Sequence, residues 1–265
     1  MPHLDLGSRS LYHERRGAGE PLLLIQGMAG HHALWGTEFL SALDSHFDVV
    51  SFDHRGIGES SDEPATEFSI ADLADDAVAL LDALGWADAH VLGISMGGMV
   101  AQEIALRHPD RVRRLVLGCT YSGGPDAALG ATGPLRMLQA MGTGRIDTAL
   151  RAAFTANFSP TFTADESHYE PFKSASLSVR VPVPIVMRQA KACFVHDTSA
   201  RLPAVTTPTL VVHGTADEMI DYANSAHVVG LIPGATLHSF DGVGHLFWWE
   251  QPDATAELVR AHCLD

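Results

Sequence analysis

The chain has 265 residues, 46% of them hydrophobic and 18% charged, which suits one α/β domain with an insertion and a large core. Its 17 Lys and Arg residues against 32 acidic residues give a formal net charge of −15, which argues against nucleic acid and anionic membranes as partners. No apolar run reaches the roughly 18 residues needed to span a bilayer.

Hydrophobic patterning predicts eight β-strands. Two short strands open the chain, and the other six are mainly apolar runs bounded by turns, as expected of strands buried on both faces. The predicted strands are residues 4–6, 10–16, 21–26, 47–53, 90–94, 114–119, 209–214 and 235–240. Helices predicted between them cover residues 33–43, 70–84, 96–108, 222–229 and 252–262. This alternation indicates an α/β fold with a mostly parallel eight-stranded sheet flanked by helices.

The segment 122–200 breaks the alternation. It contains no clear buried strand, and glycine and proline separate helix-like stretches at residues 127–141, 145–157, 164–174 and 184–198. We interpret it as a helical cap inserted after the sixth strand. The predicted α/β core therefore consists of residues 1–121 and 201–265.

A glycine-flanked serine lies between the fifth strand and the next helix. Gly93-Ile94-Ser95-Met96-Gly97 fits the G-x-S-x-G elbow, in which a sharp turn exposes the serine hydroxyl. A serine needs a base, itself oriented by a carboxylate, before it can attack a carbonyl. Ser95 is thus the candidate nucleophile.

The base and the acid should follow later strands, in the chain order serine, acid, histidine. Asp217 follows the seventh predicted strand and His245 follows the eighth, so these residues are the candidates. The competing acids are Glu218, Asp221 and Asp241, for which solvation, helix capping or turn formation is the simpler interpretation.

Two backbone amides should receive the oxyanion. The candidates are the amides of Met96, directly after the serine, and Met28, in the glycine-rich loop after the third strand. We also expect the side chains of Met28, Met96 and Leu246 to bind substrate.

No metal or cofactor site is expected. His31 and His32 have no third ligand at a zinc spacing, and Gly56-Ile57-Gly58 fits neither a P-loop nor a dinucleotide-binding turn. Asp53 and Arg55 are interpreted as architectural. The odd number of cysteines and an N-terminus without a signal-peptide core favour a cytoplasmic protein. The sequence does not decide between a monomer and a homodimer.

These motifs together resemble the α/β-hydrolase superfamily almost end to end, the insertion excepted. Within the superfamily, the serine elbow, the loop after the third strand, residues 53–58 and the loops that carry Asp217 and His245 are similar to one branch. This branch contains 3-oxoadipate enol-lactonases, cofactor-free haloperoxidase-type esterases and polyketide methylesterases. One departure is Gln26-Gly27, where the oxyanion loop usually has His-Gly. The resemblance implies a Ser-His-Asp hydrolase with a helical cap and no cofactor.

The resemblance also orders the alternatives. Carbon–carbon bond hydrolases usually carry Asn before the nucleophile and Trp after the histidine, where this chain has Ile94 and Leu246. Haloalkane dehalogenases and epoxide hydrolases need an aspartate nucleophile. We therefore expect a serine hydrolase that cleaves a small-molecule ester or lactone through an acyl-enzyme. A perhydrolase-type esterase, a carbon–carbon bond hydrolase and a ligand-binding sensor are the alternatives.

Overall fold

The computed structural model describes residues 3–7, 9–61 and 67–265. It contains one eight-stranded sheet with the strand order β1-β2-β4-β3-β5-β6-β7-β8. The β1–β2 and β2–β4 pairs are antiparallel and the other five pairs are parallel, which confirms the predicted sheet. The strands are β1 His3–Asp5, β2 Ser10–Gly17, β3 Glu20–Ile25, β4 Phe47–Phe52, β5 Ala89–Ile94, β6 Val112–Gly118, β7 Thr209–Gly214 and β8 Thr236–Phe240.

Helices flank the sheet and fill the insertion. They are α1 Thr37–Leu43, α2 Ile70–Leu84, α3 Met96–Arg107, α4 Gly133–Gly142, α5 Ile146–Asn157, α6 Pro160–Thr163, α7 Tyr169–Ser178, α8 Val183–Val195, α9 Ala223–Leu231, α10 Phe247–Glu250 and α11 Pro252–Leu264. Short 3-10 helices cover His32–Trp35, Pro109–Arg111, Glu166–His168 and Leu202–Ala204. None of the helices in the described ranges is both long and apolar enough to cross a bilayer.

Strand β3 shows why the central strands are apolar throughout. Leu23 and Ile25 pack in the core cluster that includes α2 and α3, whereas Leu22 and Leu24 pack in the cluster that includes α1 and α11. All four side chains are fully buried. Because successive side chains of a strand point to opposite faces, a sheet covered on both sides requires an unbroken apolar run.

The ends of α2 agree with the sequence. The Ser69 hydroxyl accepts a hydrogen bond from the Asp72 amide at 3.2 Å, and the Asp72 carboxylate accepts one from the Ser69 amide at 2.8 Å. Gly85, with φ 73°, follows the last helical residue. The helix predicted over 33–43 is instead divided, because Gly36 also has φ 73°, outside the helical region.

The insertion is held against loops at the carboxyl ends of the core strands. Glu250 links the insertion to the loop after β8. Its Oε1 accepts hydrogen bonds from the amide of Ser159, in the insertion, at 2.8 Å and from the amide of Gly244, in that loop, at 2.9 Å. The Leu246 amide donates to the carbonyl of Asn157 at 3.0 Å. The insertion therefore adjoins the loop that carries His245.

Candidate active site

Ser95 lies at a tight junction between β5 and α3. Its φ of 54° and ψ of −122° are unusual for a residue with a side chain, and its amide donates to the Gly118 carbonyl at 2.8 Å. A Cβ on Gly93 would lie 2.2 Å from the Gly97 carbonyl oxygen, and one on Gly97 would lie 2.1 Å from that of Ile25. Glycine at both positions lets the helix begin close to β3 and β5.

Asp217 and His245 lie in contact although they are separated by 28 residues. Nδ1 of His245 donates to Oδ2 of Asp217 at 2.6 Å. The other carboxylate oxygen, Oδ1, accepts from the amides of Met219 at 2.7 Å and Ile220 at 3.0 Å. The turn after β7 therefore fixes the carboxylate, and the carboxylate fixes one nitrogen of the imidazole.

His213, the penultimate residue of β7, is a second imidazole on the same carboxylate. Its Nε2 donates to Oδ2 of Asp217 at 2.8 Å, and its Nδ1 is hydrogen-bonded to the Ser225 hydroxyl. The side chain is fully buried. Sequence analysis missed this residue, since a histidine inside an apolar strand gives no sign of the contact; its spacing of four residues from Asp217 is the only available hint.

The second nitrogen of His245 faces the end of β6, where Ser95 is also bound. Nε2 lies 3.8 Å from Sγ of Cys119. The residues on either side of Cys119 hold the backbone of Ser95: the Gly118 carbonyl accepts from its amide at 2.8 Å, and the Thr120 hydroxyl donates to its carbonyl at 2.7 Å. Ser95 and His245 thus converge on residues 118–120. Within the described ranges, however, the Ser95 hydroxyl makes no hydrogen bond to His245. Such bonds are often long in ligand-free enzymes and shorten when substrate binds.

The pKa values of the pair reflect mutual stabilisation. Burial alone would raise the pKa of Asp217, but His245 and His213 lower it well below its usual value. Burial alone would lower the pKa of His245, but the Asp217 carboxylate raises it well above its usual value. An imidazolium at this position is therefore stabilised by the adjacent carboxylate.

Cys119, Asp217 and His245 also place potential metal-ligand atoms within 4.8 Å of one another. The donor set suits a metal poorly. Both oxygens of Asp217 already accept two N–H groups each, so no lone pair of the carboxylate is left for an ion. Burial also raises the pKa of the Cys119 thiol, which disfavours the thiolate that a metal requires. These residues are better explained as parts of an acid–base arrangement.

The loop after β3 lies directly against Ser95. A Cβ on Gly27 would be 3.0 Å from Cβ of Ser95 and 3.5 Å from its hydroxyl oxygen. The amides of Met28 and Met96 have no hydrogen-bond acceptor among the described residues. The Met28 side chain is 41% exposed, whereas that of Met96 is 1% exposed and packs in the core. Any contribution of Met96 to substrate binding therefore rests on its amide.

The other residues singled out in the sequence have partners of their own. Glu218 pairs with Arg136, and Oδ1 of Asp221 accepts from the Ala223 amide at 2.9 Å. Asp241 accepts from the Thr215 hydroxyl at 3.1 Å. None of these three acids has a hydrogen bond to His245 in the described part of the chain.

Leu246 is half-buried between core side chains and the aromatic cluster of the insertion, next to Trp249. It directly follows His245 in the chain, and its contact to substrate stays a prediction.

The segment 53–55 has the architectural contacts expected of it. Nε of Arg55 donates to the buried carboxylate of Asp76 at 2.6 Å, and Oδ1 of Asp53 accepts from the amide and the imidazole Nδ1 of His32 at 2.8 and 2.9 Å. His31 is fully buried, and burial lowers its pKa to about 4. These residues brace the loops near the site.

Comparison with known proteins gives matches along almost the whole chain. A profile described as alpha/beta hydrolase fold matches residues 20–252. A protein named "Putative carbamate hydrolase RutD", from Azorhizobium caulinodans, is 28% identical over 264 residues, covering 99% of this chain and 98% of that protein.

Solved structures agree with this result. The structure described as "Est816 as an N-Acyl homoserine lactone degrading enzyme" is 29% identical, has a TM-score of 0.79, and covers 98% of this chain and 99% of its own. The enol-lactonase from Burkholderia xenovorans LB400 is 23% identical with a TM-score of 0.84 over 100% of both chains, which shows a shared fold. The family resemblance inferred from the motifs is confirmed: the chain is a hydrolase of the alpha/beta hydrolase fold family.

Proposed function

We propose that the protein hydrolyses a carboxylic ester or a lactone, with Ser95 as nucleophile, His245 as general base and acid, and Asp217 as the carboxylate that orients the imidazole. The observation that carries the proposal is the buried hydrogen bond between Asp217 and His245, whose other ring nitrogen faces Cys119, between the two residues that bind the backbone of Ser95. This is the arrangement needed to remove a proton from a serine hydroxyl.

In the proposed reaction, Oγ of Ser95 bonds to the substrate carbonyl carbon while its proton moves to Nε2 of His245. The Met28 and Met96 amides stabilise the negative charge on the carbonyl oxygen. The carbon–oxygen bond to the alcohol then breaks, and the leaving oxygen takes the proton from His245. A water molecule, deprotonated by His245, repeats the sequence and frees the acid. In a lactone, acid and alcohol leave as one hydroxy acid.

Residues 122–200 are proposed to act as a cap on this site. Their contacts with the loop at residues 244–250 and with the loop after β3 support this role, because both loops carry groups assigned to the reaction. No cofactor is required for the steps above. The relative that degrades an N-acyl homoserine lactone supports a lactone as one substrate class.

Carbamate hydrolysis is a second candidate. The observation that favours it is the end-to-end similarity to a protein named as a carbamate hydrolase. The same serine would form a carbamoyl-enzyme in place of an acyl-enzyme. Since a nitrogen on the carbonyl reduces its electrophilicity, release by water would be slower than for an acyl group.

A fluorophosphonate probe and a substrate panel test the proposal. The probe should label the wild-type protein and the Ser122→Ala variant, which removes a buried serine hydroxyl at the start of the insertion, but not Ser95→Ala. The panel comprises p-nitrophenyl esters of increasing chain length, γ-lactones, N-acyl homoserine lactones and aryl carbamates. Labelling of Ser95→Ala at another serine would contradict the assigned nucleophile. Turnover confined to carbamates would favour the second candidate.

A further inference from the structure

Gln189, in α8 of the insertion, is hydrogen-bonded to the loop after β3. Its side chain is fully buried, and its Oε1 accepts from the amide of Ala29 at 2.9 Å. Because a backbone amide can only donate, this contact also fixes which end of the carboxamide is the oxygen. A residue 160 positions away thus contacts the amide that follows Met28.

The loop at this point has an unusual backbone. Ala29 has φ 60°, a left-handed conformation that a residue with a Cβ adopts at a cost. Gly27 before it lies against Ser95, and the Gly30 amide after it donates to the Gly27 carbonyl at 3.0 Å. The direction of the Met28 amide depends on these neighbouring torsions, so a partner on Ala29 controls it.

Fold stability does not account for this carboxamide. Nε2 of Gln189 is buried and has no acceptor among the described residues. A buried donor without a partner lowers stability. Gln102 provides the contrast: its Nε2 donates to the Tyr121 carbonyl at 3.2 Å, and its Oε1 accepts from the Thr198 hydroxyl at 2.5 Å. Gln102 joins core to insertion with both ends satisfied, whereas Gln189 uses one end, on the loop next to Ser95.

We propose that Gln189 is a positioning residue for the oxyanion hole, through which the insertion holds the Met28 amide toward the reacting carbonyl. This inference rests on the proposed function. With this role for Gln189, the insertion both covers the active site and helps to position a catalytic backbone amide. Gln189 acts through Ala29 and need not touch substrate.

The test compares Gln189→Met with Gln102→Met. Both changes keep side-chain length and remove a buried carboxamide, but only the first removes the acceptor for Ala29. A p-nitrophenyl ester supplies kcat and KM, an aryl trifluoromethyl ketone that forms an oxyanion adduct with Ser95 supplies Ki, and thermal melting reports folding. For Gln189→Met we expect kcat to fall about 10- to 100-fold with KM nearly unchanged, and Ki to rise by a similar factor. For Gln102→Met we expect a lower melting temperature with wild-type kcat and Ki.

If Gln189→Met does not fold, Gln189→Asn takes its place, since it keeps a carboxamide that is one methylene too short to reach Ala29. Equal losses of kcat in the Gln189 and Gln102 variants, or a rise in KM alone, would overturn the inference. A Ser95→Ala protein that still turns over the ester would instead refute the proposed function. The two failures are therefore distinguishable.

Discussion

Replacing Asp217 by Asn tests the arrangement most directly, because the change keeps size and shape. Four N–H groups converge on the carboxylate: two imidazoles on Oδ2 and the amides of Met219 and Ile220 on Oδ1. A carboxamide has only one oxygen, so its NH2 group must face one of these pairs of donors. If the oxygen stays with the backbone amides, the NH2 group faces His245.

The size of the expected effect follows from the tautomer of His245. Facing an NH2 group, Nδ1 can only accept, so Nε2 carries the proton and cannot take one from Ser95. A carboxylate-to-amide change of this kind lowers kcat about 10⁴-fold in another serine hydrolase, or about 5.4 kcal/mol at 1.36 kcal/mol per factor of ten. Stability should also fall, since hydrogen bonds to a charged group contribute about 1.5–3 kcal/mol each.

The assay is the steady-state hydrolysis of an activated phenyl ester, with the rate of fluorophosphonate labelling as a second measure and thermal melting as a check on folding. Asp241→Asn is the matched control, because this neighbouring acid binds only the Thr215 hydroxyl among the described residues and should leave kcat unchanged. A folded Asp217→Asn protein within about tenfold of wild-type kcat would refute the orienting role.

Three further predictions concern pH and stability. The pKa of His245 is raised, and only the neutral imidazole can act as a base. The pH profile of kcat/KM should therefore rise with a midpoint above pH 6.5. A midpoint below pH 6.5 would contradict the interaction with Asp217. Arg55→Met should lower the free energy of unfolding, measured in urea, by about 1.5–3 kcal/mol, with little change in kcat of the folded protein. It removes one of the two arginines that pair with the buried Asp76 carboxylate, and Arg9 remains at 3.0 Å. Gly97→Ala should prevent folding, because the new Cβ would lie 2.1 Å from a carbonyl oxygen of β3. Gly142→Ala is the control, because the space around Gly142 is open. The control should give a normal soluble yield and a normal circular dichroism spectrum.

The central sheet could be predicted from the sequence because burial on both faces leaves a strong signal, as in β3. The insertion was predicted less accurately. Helix α4 begins at Gly133, and Leu135 and Leu138 are 59% and 62% exposed. An apolar pattern locates a helix well only where its apolar residues are buried. The four-residue helix α10 was not predicted, because four residues are too few to show a helical period.

Residues of the candidate site were accessible to prediction where topology alone brings them together. Ser95, Asp217 and His245 each follow a parallel strand, so their loops share one edge of the sheet. His213, Cys119 and Gln189 were missed, because their contacts depend on side-chain placement within the folded core. The catalytic roles of Ser95, Asp217 and His245 stay predictions until their variants are measured.

The hydrogen bonds of Glu250 limit which segments of this chain can be exchanged with those of a homologue. One carboxylate binds Ser159 of the insertion and Gly244, the residue before His245. A chimera that imports residues 122–200 from a homologue while keeping the C-terminal loop would retain the Gly244 contact but replace the segment whose Ser159 amide and hydroxyl donate to the same carboxylate. Exchanging residues 122–200 and 244–250 as one unit keeps both partners of the Glu250 carboxylate matched.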